Sequence, residues 1–431
     1  MNPSYQPNTL THDHGETVSH TVPLTIVTIL FFMWGLLTSL NDVLIPHLKA
    51  VYELTYVQAM LVQFCFFGAY FIVSLPAGLL VKKIGYQRGA VVGLLIAATG
   101  CCLFYPASLG SYALFLLAFF VLAAGITVLQ VAANPYVTVL GAAHTASSRL
   151  TLTQAFNALG TTLAPTLGGI LILSGSMLSA AEIGAMPLAE QLAYRAKDAA
   201  AVQGPYLALA GALLMMALLF ATARLPAISD QTASPQGARK DGPRSALAYP
   251  HLMFGAIGIF MYVGGEVSIG SLLISFLGEP HVAGLPPAAA AHYVSYYWGG
   301  AMVGRFIGFA VMRYVSPGKA LACNAAASIA LIMVAMCSNG TLAMWAILAV
   351  GLCNSIMFPT IFSMALFRLG PHTGQGSGIL CMAIVGGALV PFAQGWMADA
   401  IGLQPSFVVP AVCYLFVLLF GMKFAHLYGK P

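Results

Sequence analysis

The sequence predicts an all-α membrane protein of twelve transmembrane helices. Three observations carry that prediction. Of the 431 residues, 59% are hydrophobic and only 7% charged, where a soluble globular chain carries about a quarter charged residues. So little charge cannot coat a water-facing surface of this size, and most of the chain must be solvated by lipid. Apolar runs of spanning length recur from end to end, and Lys and Arg fall almost entirely in alternate connections between them.

Taken in order, the spans are predicted at roughly 23–45, 56–81, 88–107, 112–140, 150–174, 204–224, 250–277, 290–315, 318–337, 342–368, 375–400 and 405–428. Residues 1–22 are polar and lack the basic start of a signal peptide, so they are expected to form a disordered cytoplasmic tail. His12, His14 and His20 beside Asp13 and Glu16 belong to that tail, and no metal site is predicted. Pro135, Pro165, Pro359 and Pro391 fall inside spans, where neighbouring helices must resatisfy the backbone. Residues 175–203 form a charged loop, and 225–249 are polar and breaker-rich. The second reads as a cytoplasmic linker between an N-terminal six-helix bundle (23–224) and a C-terminal one (250–431).

With a cytoplasmic N-terminus, Lys82, Lys83, Arg88, Arg149, Arg224, Arg239, Lys240, Arg244, Arg313, Lys319, Arg368, Lys423 and Lys430 all lie inside, and only Lys49, Arg195 and Lys197 outside. That asymmetry supports an even number of spans with both termini in the cytoplasm, and the chain is expected in the plasma membrane (the bacterial inner membrane). The net charge of +5 includes no dense basic run, which argues against nucleic acid as a partner. All eight cysteines sit in apolar segments without C-x-x-C spacing and read as buried thiols.

The halves echo each other. Gly160, Pro165 and Gly169 recur as Gly386, Pro391 and Gly395 at one constant offset, and Pro135 has a counterpart in Pro359. Two parallel six-helix repeats put a shared cavity near the midplane, where alternating access needs it.

This organisation resembles the major facilitator superfamily over essentially the whole chain, and implies its fold of two six-helix pseudo-repeats. The stretch Gly78–Gly85 is similar to that superfamily's loop between spans 2 and 3, with Lys82 in place of the usual acid. The stretches Leu40–Leu48, Ala132–Gly141, Gln154–Asn157, Gly304–Phe306 and Phe358–Ser363 together resemble the fucose–galactose–glucose symporters. The resemblance implies uptake of a neutral hexose driven by a cation gradient. Fucose–proton members carry a glutamate where this chain has Gln130, and Glu266 in span 7 looks more like the glucose/galactose and N-acetylglucosamine branch.

Three residues put charge well within the spans: Asp42, Glu266 and Arg305. An ionisable group at the bilayer centre costs roughly 2.5–3.5 kcal/mol, so such groups face a cavity or a partner. Asp42 shares a helical face with Gly35, Thr38 and Ser39, a small polar stripe that suits a watery path and a proton carrier. An acid permanently paired with Arg305 is a poor proton carrier. Arg305 is expected nearer Glu266, leaving Asp42 to titrate; Glu266 remains open to sugar, proton or Na⁺. Gly264 and Gly265 beside it admit a close helix or a ligand.

Amides donate and accept hydrogen bonds without adding charge, which matches sugar hydroxyls. Gln130, Gln154, Asn157 and Asn354 are the candidates, and Asn134, beside Pro135, reads as structural. Trp34, Tyr262, Tyr297, Trp298 and Phe358 offer apolar faces for a pyranose ring, and Ser39 lies beside the Asp42 stripe. The coupling ion is expected to be H⁺, with Na⁺ as the alternative, and no prosthetic cofactor is implied. The partners are the sugar and the bilayer, with the monomer as the working unit. A membrane sugar sensor is the competing class, and no zinc or nucleophile-elbow motif supports an enzyme.

Overall fold

The computed structural model describes residues 23–37, 56–108, 112–171, 186–187, 189–191, 203–223 and 245–427, with side chains at 56–63, 165–171, 287, 288 and 291 excepted. Ser39, Asp42, the tail 1–22 and most of the 175–203 and 225–249 connections lie outside the described residues.

Twelve helical segments follow one another: α1 Pro23–Leu37, α2 Tyr56–Ile84, α3 Tyr86–Ala107, α4 Tyr112–Val139, α5 Ala146–Leu171, α6 Gln203–Thr222, α7 Pro250–Gly278, α8 Pro287–Val311, α9 Pro317–Cys337, α10 Gly340–Ala365, α11 Gly370–Ile401 and α12 Leu403–Lys423. No strand occurs among the described residues. Nine of these segments are by themselves long and apolar enough to cross a bilayer. The two helices α5 and α8 also reach spanning length but carry more polar residues, and they pack against each other instead of presenting that polarity to lipid.

Because successive spans alternate in direction, the ends of α2, α8, α10 and α12 gather with the starts of α3, α5 and α9. Lys82, Lys83, Arg88, Arg149, Arg313, Lys319, Arg368 and Lys423 therefore mark one basic end of the bundle. At that end Arg149 reaches back to α4, donating to the carbonyls of Val137, Thr138 and Ala142 at 3.3, 2.9 and 2.8 Å. Val137 and Thr138 offer carbonyls that the end of α4 leaves unpaired, while Ala142 lies in the turn before α5.

Helices meet at glycines. A Cβ on Gly160 would strike the Phe32 carbonyl of α1, and one on Gly386 would strike the Phe260 carbonyl of α7. The α1–α5 and α7–α11 crossings are thus built alike. Without a hydrophobic drive between helices in lipid, such close backbone approach supplies the packing.

Spans 10, 11 and 12 are broken where continuous helices were expected. α10 runs to Asn354, turns, and resumes over Met357–Ala365. α11 has 3-10 turns at Gly370–His372 and Ala383–Val385, and α12 a break after Ser406. The break in α10 has a direct cause. Proline at 359 lacks an N–H and crowds the carbonyl four residues back, so Ser355 cannot close its helical bond.

The cysteine expectation needs correction. All eight are free, but Cys102, Cys323 and Cys337 are exposed on the outside of the bundle, while Cys101, Cys381 and Cys413 are buried. An apolar neighbourhood in a membrane chain means lipid as often as protein.

Candidate functional site

Two constructions stand out: a seal at the basic end, where α1–α6 meet α7–α12, and a polar knot at mid-depth within α7–α12. The seal follows from proline again. Pro135 in α4 frees the Val131 carbonyl, and Ser377 Oγ of α11 donates to it at 2.9 Å. The hydroxyls of Ser147 in α5 and Ser363 in α10 are 2.6 Å apart, and Ser148 donates to the Phe309 carbonyl of α8 at 2.7 Å. Between α2 and α11 the backbones almost touch. A Cβ on Gly378 would stand 2.6 Å from the Ser74 carbonyl oxygen, and one on Gly78 would stand 2.9 Å from that of Gly374. Hydroxyls and closely packed glycines close this end.

The polar knot belongs to α7, α8, α10 and α12. Its centre is the Tyr297 hydroxyl, which accepts from Asn354 Nδ2 at 2.7 Å and donates to the Glu266 backbone carbonyl at 3.1 Å. Tyr262 donates to the Asn354 carbonyl at 3.1 Å, at the point where α10 breaks. Tyr262, Tyr297 and Asn354 are fully or almost fully buried. Arg305 lies within electrostatic reach of the Glu266 carboxylate, as does Tyr262. Yet Arg305 is not ion-paired with Glu266 in this structure. Its Nε donates at 3.3 Å to the Ser355 carbonyl that Pro359 set free. Glu266 Oε1 is buried without a hydrogen-bond partner. At the 1.5 Å rise of a helix, Glu266 lies about 24 Å from the basic end of α7 and Ser377 about 10 Å along α11, so the knot sits deeper than the seal.

In α1–α6 the candidates are more scattered. Asn157 Nδ2 donates to the Phe31 carbonyl of α1 at 2.9 Å, with Thr161 following one turn on. Gln154 is buried and makes no hydrogen bond to another described residue, while Gln130 Oε1 and both polar atoms of Asn134 are buried without partners. Trp34 is buried against Phe31, ring centroids 5.2 Å apart. Phe358 is almost buried and stacks on Phe362 at 5.6 Å. Trp298 is 41% exposed, edge-on to Tyr297 and against Gly270. Gly264 and Gly265 admit helices: the first faces Val390 and Gly386 of α11, the second Cys413 and Tyr414 of α12.

The structure therefore brings Tyr262, Glu266, Tyr297, Arg305 and Asn354 together, and keeps Trp34, Gln130, Gln154, Asn157, Trp298 and Phe358 outside that knot. It adds one residue that sequence reasoning missed. Tyr414 of α12 is fully buried beside Asn354, Tyr297 and Glu266. A single tyrosine in a uniformly apolar run offers no periodicity or charge to single it out.

Comparison with known proteins places this geometry in context. The family model for the Major Facilitator Superfamily matches residues 27–384. A glucose/galactose transporter of Brucella abortus is 57% identical over 413 residues, covering 95% of this chain and 96% of that one. The L-fucose-proton symporter of Escherichia coli is 34% identical over 414 residues, covering 95% and 94%. The crystal structure of FucP in the outward conformation superposes with a TM-score of 0.87 at 32% identity, covering 94% of this chain and 99% of that one.

Proposed function

The chain belongs to the Major Facilitator Superfamily, and on that premise we propose that it imports a neutral hexose of the glucose, galactose or fucose class by proton symport with alternating access. The observation that carries this reading is the buried polar knot around Glu266 at mid-depth, with a sealed basic end below it. A carrier needs a buried polar site whose two exits open in turn, and a hydrogen-bonded seal across the seam is an exit that opens when the halves rock apart.

In this reading the basic end faces the cytoplasm by the positive-inside rule, both termini lie there, and the structure is closed inward. The same orientation fits the plasma membrane of a bacterium, with residues 225–249 linking bundles 23–224 and 250–431. Gln154 and Asn157 from one bundle and Tyr262, Tyr297 and Asn354 from the other supply hydrogen bonds to sugar hydroxyls. Trp34, Trp298 and Phe358 supply apolar faces, and Ser39 and Gln130 complete the polar lining. Asp42 is the proton carrier, with Glu266 and Arg305 as the second charged pair of the cycle. Moving one positive charge inward is worth about 2.3 kcal/mol per 100 mV. At about 1.4 kcal/mol per tenfold, this supports roughly 50-fold accumulation of a neutral sugar.

The test is labelled-hexose transport in proteoliposomes holding the purified chain. Asp42→Asn is expected to abolish accumulation driven by an inward proton gradient while sparing counterflow. Accumulation at the wild-type level by that variant removes Asp42 from coupling, and absent counterflow in the wild type removes the transport reading.

A further inference from the structure

The basic end of α2 carries a pattern that the seal does not use. Phe64, Phe71, Leu75 and Leu79 are exposed along one flank of the helix, and the exposed Lys82 and Lys83 continue that stripe to its end. The adjoining flank, through Phe67, Ser74 and Gly78, is the one that packs on α11. The stripe therefore runs beside the seam between the bundles, apolar for about 22 Å and then doubly charged. A third cation stands across the seam. A Cβ on Gly374 of α11 would lie 3.4 Å from the Lys82 backbone nitrogen, and Arg368 comes six residues before Gly374, across the turn at Gly370–His372. Arg368 is exposed, with φ 55°, in the left-handed region where helix ends favour glycine or asparagine. Its guanidinium lies 5.0 Å from the ring centroid of the adjacent Phe367. An arginine kept where glycine is easier points to a use for its charge.

The chain cannot neutralise this end itself. Among the described residues the acids are Glu190, Glu266, Glu279 and Asp399; Glu266 is at mid-depth and the other three belong to the opposite end. The eight Lys and Arg of the basic end thus face no described acid. The segments joined there, 1–22, 224–244 and 428–431, add five Lys and Arg against four Asp and Glu, and so offset nothing. The counter-charge must come from outside the chain, and the apolar stripe says from where. A soluble anion has no use for exposed Phe71, Leu75 and Leu79, and a zwitterionic headgroup brings its own cation. We propose that an anionic phospholipid binds on this flank, with an acyl chain along Phe71, Leu75 and Leu79 and its phosphate on Lys82 and Lys83. Arg368 closes on the same phosphate from the other bundle, as its planar fork suits. One headgroup then ties α2 to the α10–α11 turn across the sealed seam. Its effect on alternating access rests on the transport reading; its binding does not.

The experiment is a thermal-unfolding titration of the purified full chain in neutral detergent, with dioctanoyl phosphatidylglycerol, dioctanoyl phosphatidylcholine or inorganic phosphate. Phosphatidylglycerol is expected to raise the midpoint saturably, phosphatidylcholine much less and phosphate not at all. The double variant Lys82→Gln/Lys83→Gln is expected to raise the half-saturating phosphatidylglycerol concentration at least about tenfold, and Arg368→Gly about fivefold. Lys319→Gln, which removes a basic-end charge of α9, is expected to leave it unchanged. Equal responses to the two lipids overturn the proposal, and so does an equal response to phosphate, which would show an anion site without a lipid. A loss in Lys319→Gln as large as in the double variant also overturns it, since the charge would then act diffusely. Should the double variant fail to fold, Arg368→Gly decides, because glycine is at ease at that φ: an undiminished response in it overturns the site. Sugar counterflow in proteoliposomes is read separately. Counterflow without a selective lipid response sinks the lipid site alone, and absent counterflow sinks the transport reading alone.

Discussion

Ser377→Ala is expected to unlatch the basic end. The Val131 carbonyl cannot close its helical bond because Pro135 lies four residues on, and Ser377 Oγ supplies the replacement at 2.9 Å from across the seam. With Ser377 fully buried, alanine leaves that carbonyl with neither helix nor water, at a cost of about 1–3 kcal/mol. The cost falls on the sealed state alone, since water reaches Val131 once the seam parts. The equilibrium should therefore move toward the basic-end-open state by roughly 5- to 150-fold. Cys381 provides a native reporter. It lies one turn beyond Ser377 in α11, fully buried near Tyr70 of α2. When the open state is minor, alkylation of Cys381 by a water-soluble maleimide, followed by peptide mass spectrometry, tracks its population. The rate should rise at least about fivefold in Ser377→Ala. Ser338→Ala, whose hydroxyl bonds among the described residues to Val334 one turn back, should leave it unchanged. A Ser377→Ala rate within about twofold of wild type would refute the argument that this hydroxyl holds the seal.

Other expectations follow from the same geometry. Gly160→Ala and Gly386→Ala each push a methyl into a carbonyl of the facing helix and should destabilise the chain by about 1–3 kcal/mol. Gly211→Ala, with nothing near its Cβ, should be neutral or stabilise by up to about 1 kcal/mol; unfolding midpoints in one detergent check all three. Arg305→Lys keeps the charge but loses the flat guanidinium that meets the Ser355 carbonyl. Sugar counterflow should fall at least severalfold, and wild-type counterflow would show that charge alone suffices. Tyr297→Phe removes the hydroxyl that joins α8 to both α7 and α10. It leaves Asn354 Nδ2 buried without an acceptor, and should lower the unfolding midpoint by an amount equivalent to about 1–3 kcal/mol.

What could be read from the sequence is whatever the bilayer imposes on each segment singly. The spans, the basic end, the prolines that free carbonyls and the charges that lipid will not accept each follow from local composition and spacing. Glu266 and Arg305 were legible because ionisable groups in apolar runs are costly. Their relation was not, because the Ser355 carbonyl competes for Arg305 and becomes available only when Pro359 breaks α10 beside α8. Ser147, Ser363 and Ser377 read as unremarkable small residues until α4, α5, α10 and α11 are laid side by side. Tyr414 and Trp298 illustrate the same limit from opposite sides, one fully buried in α12 and the other 41% exposed in α8. A hydropathy pattern fixes how each helix sits against lipid. Hydrogen bonds between helices depend on rotation and depth relative to neighbours far away in the chain, and those are settled only when the backbones pack at their glycines.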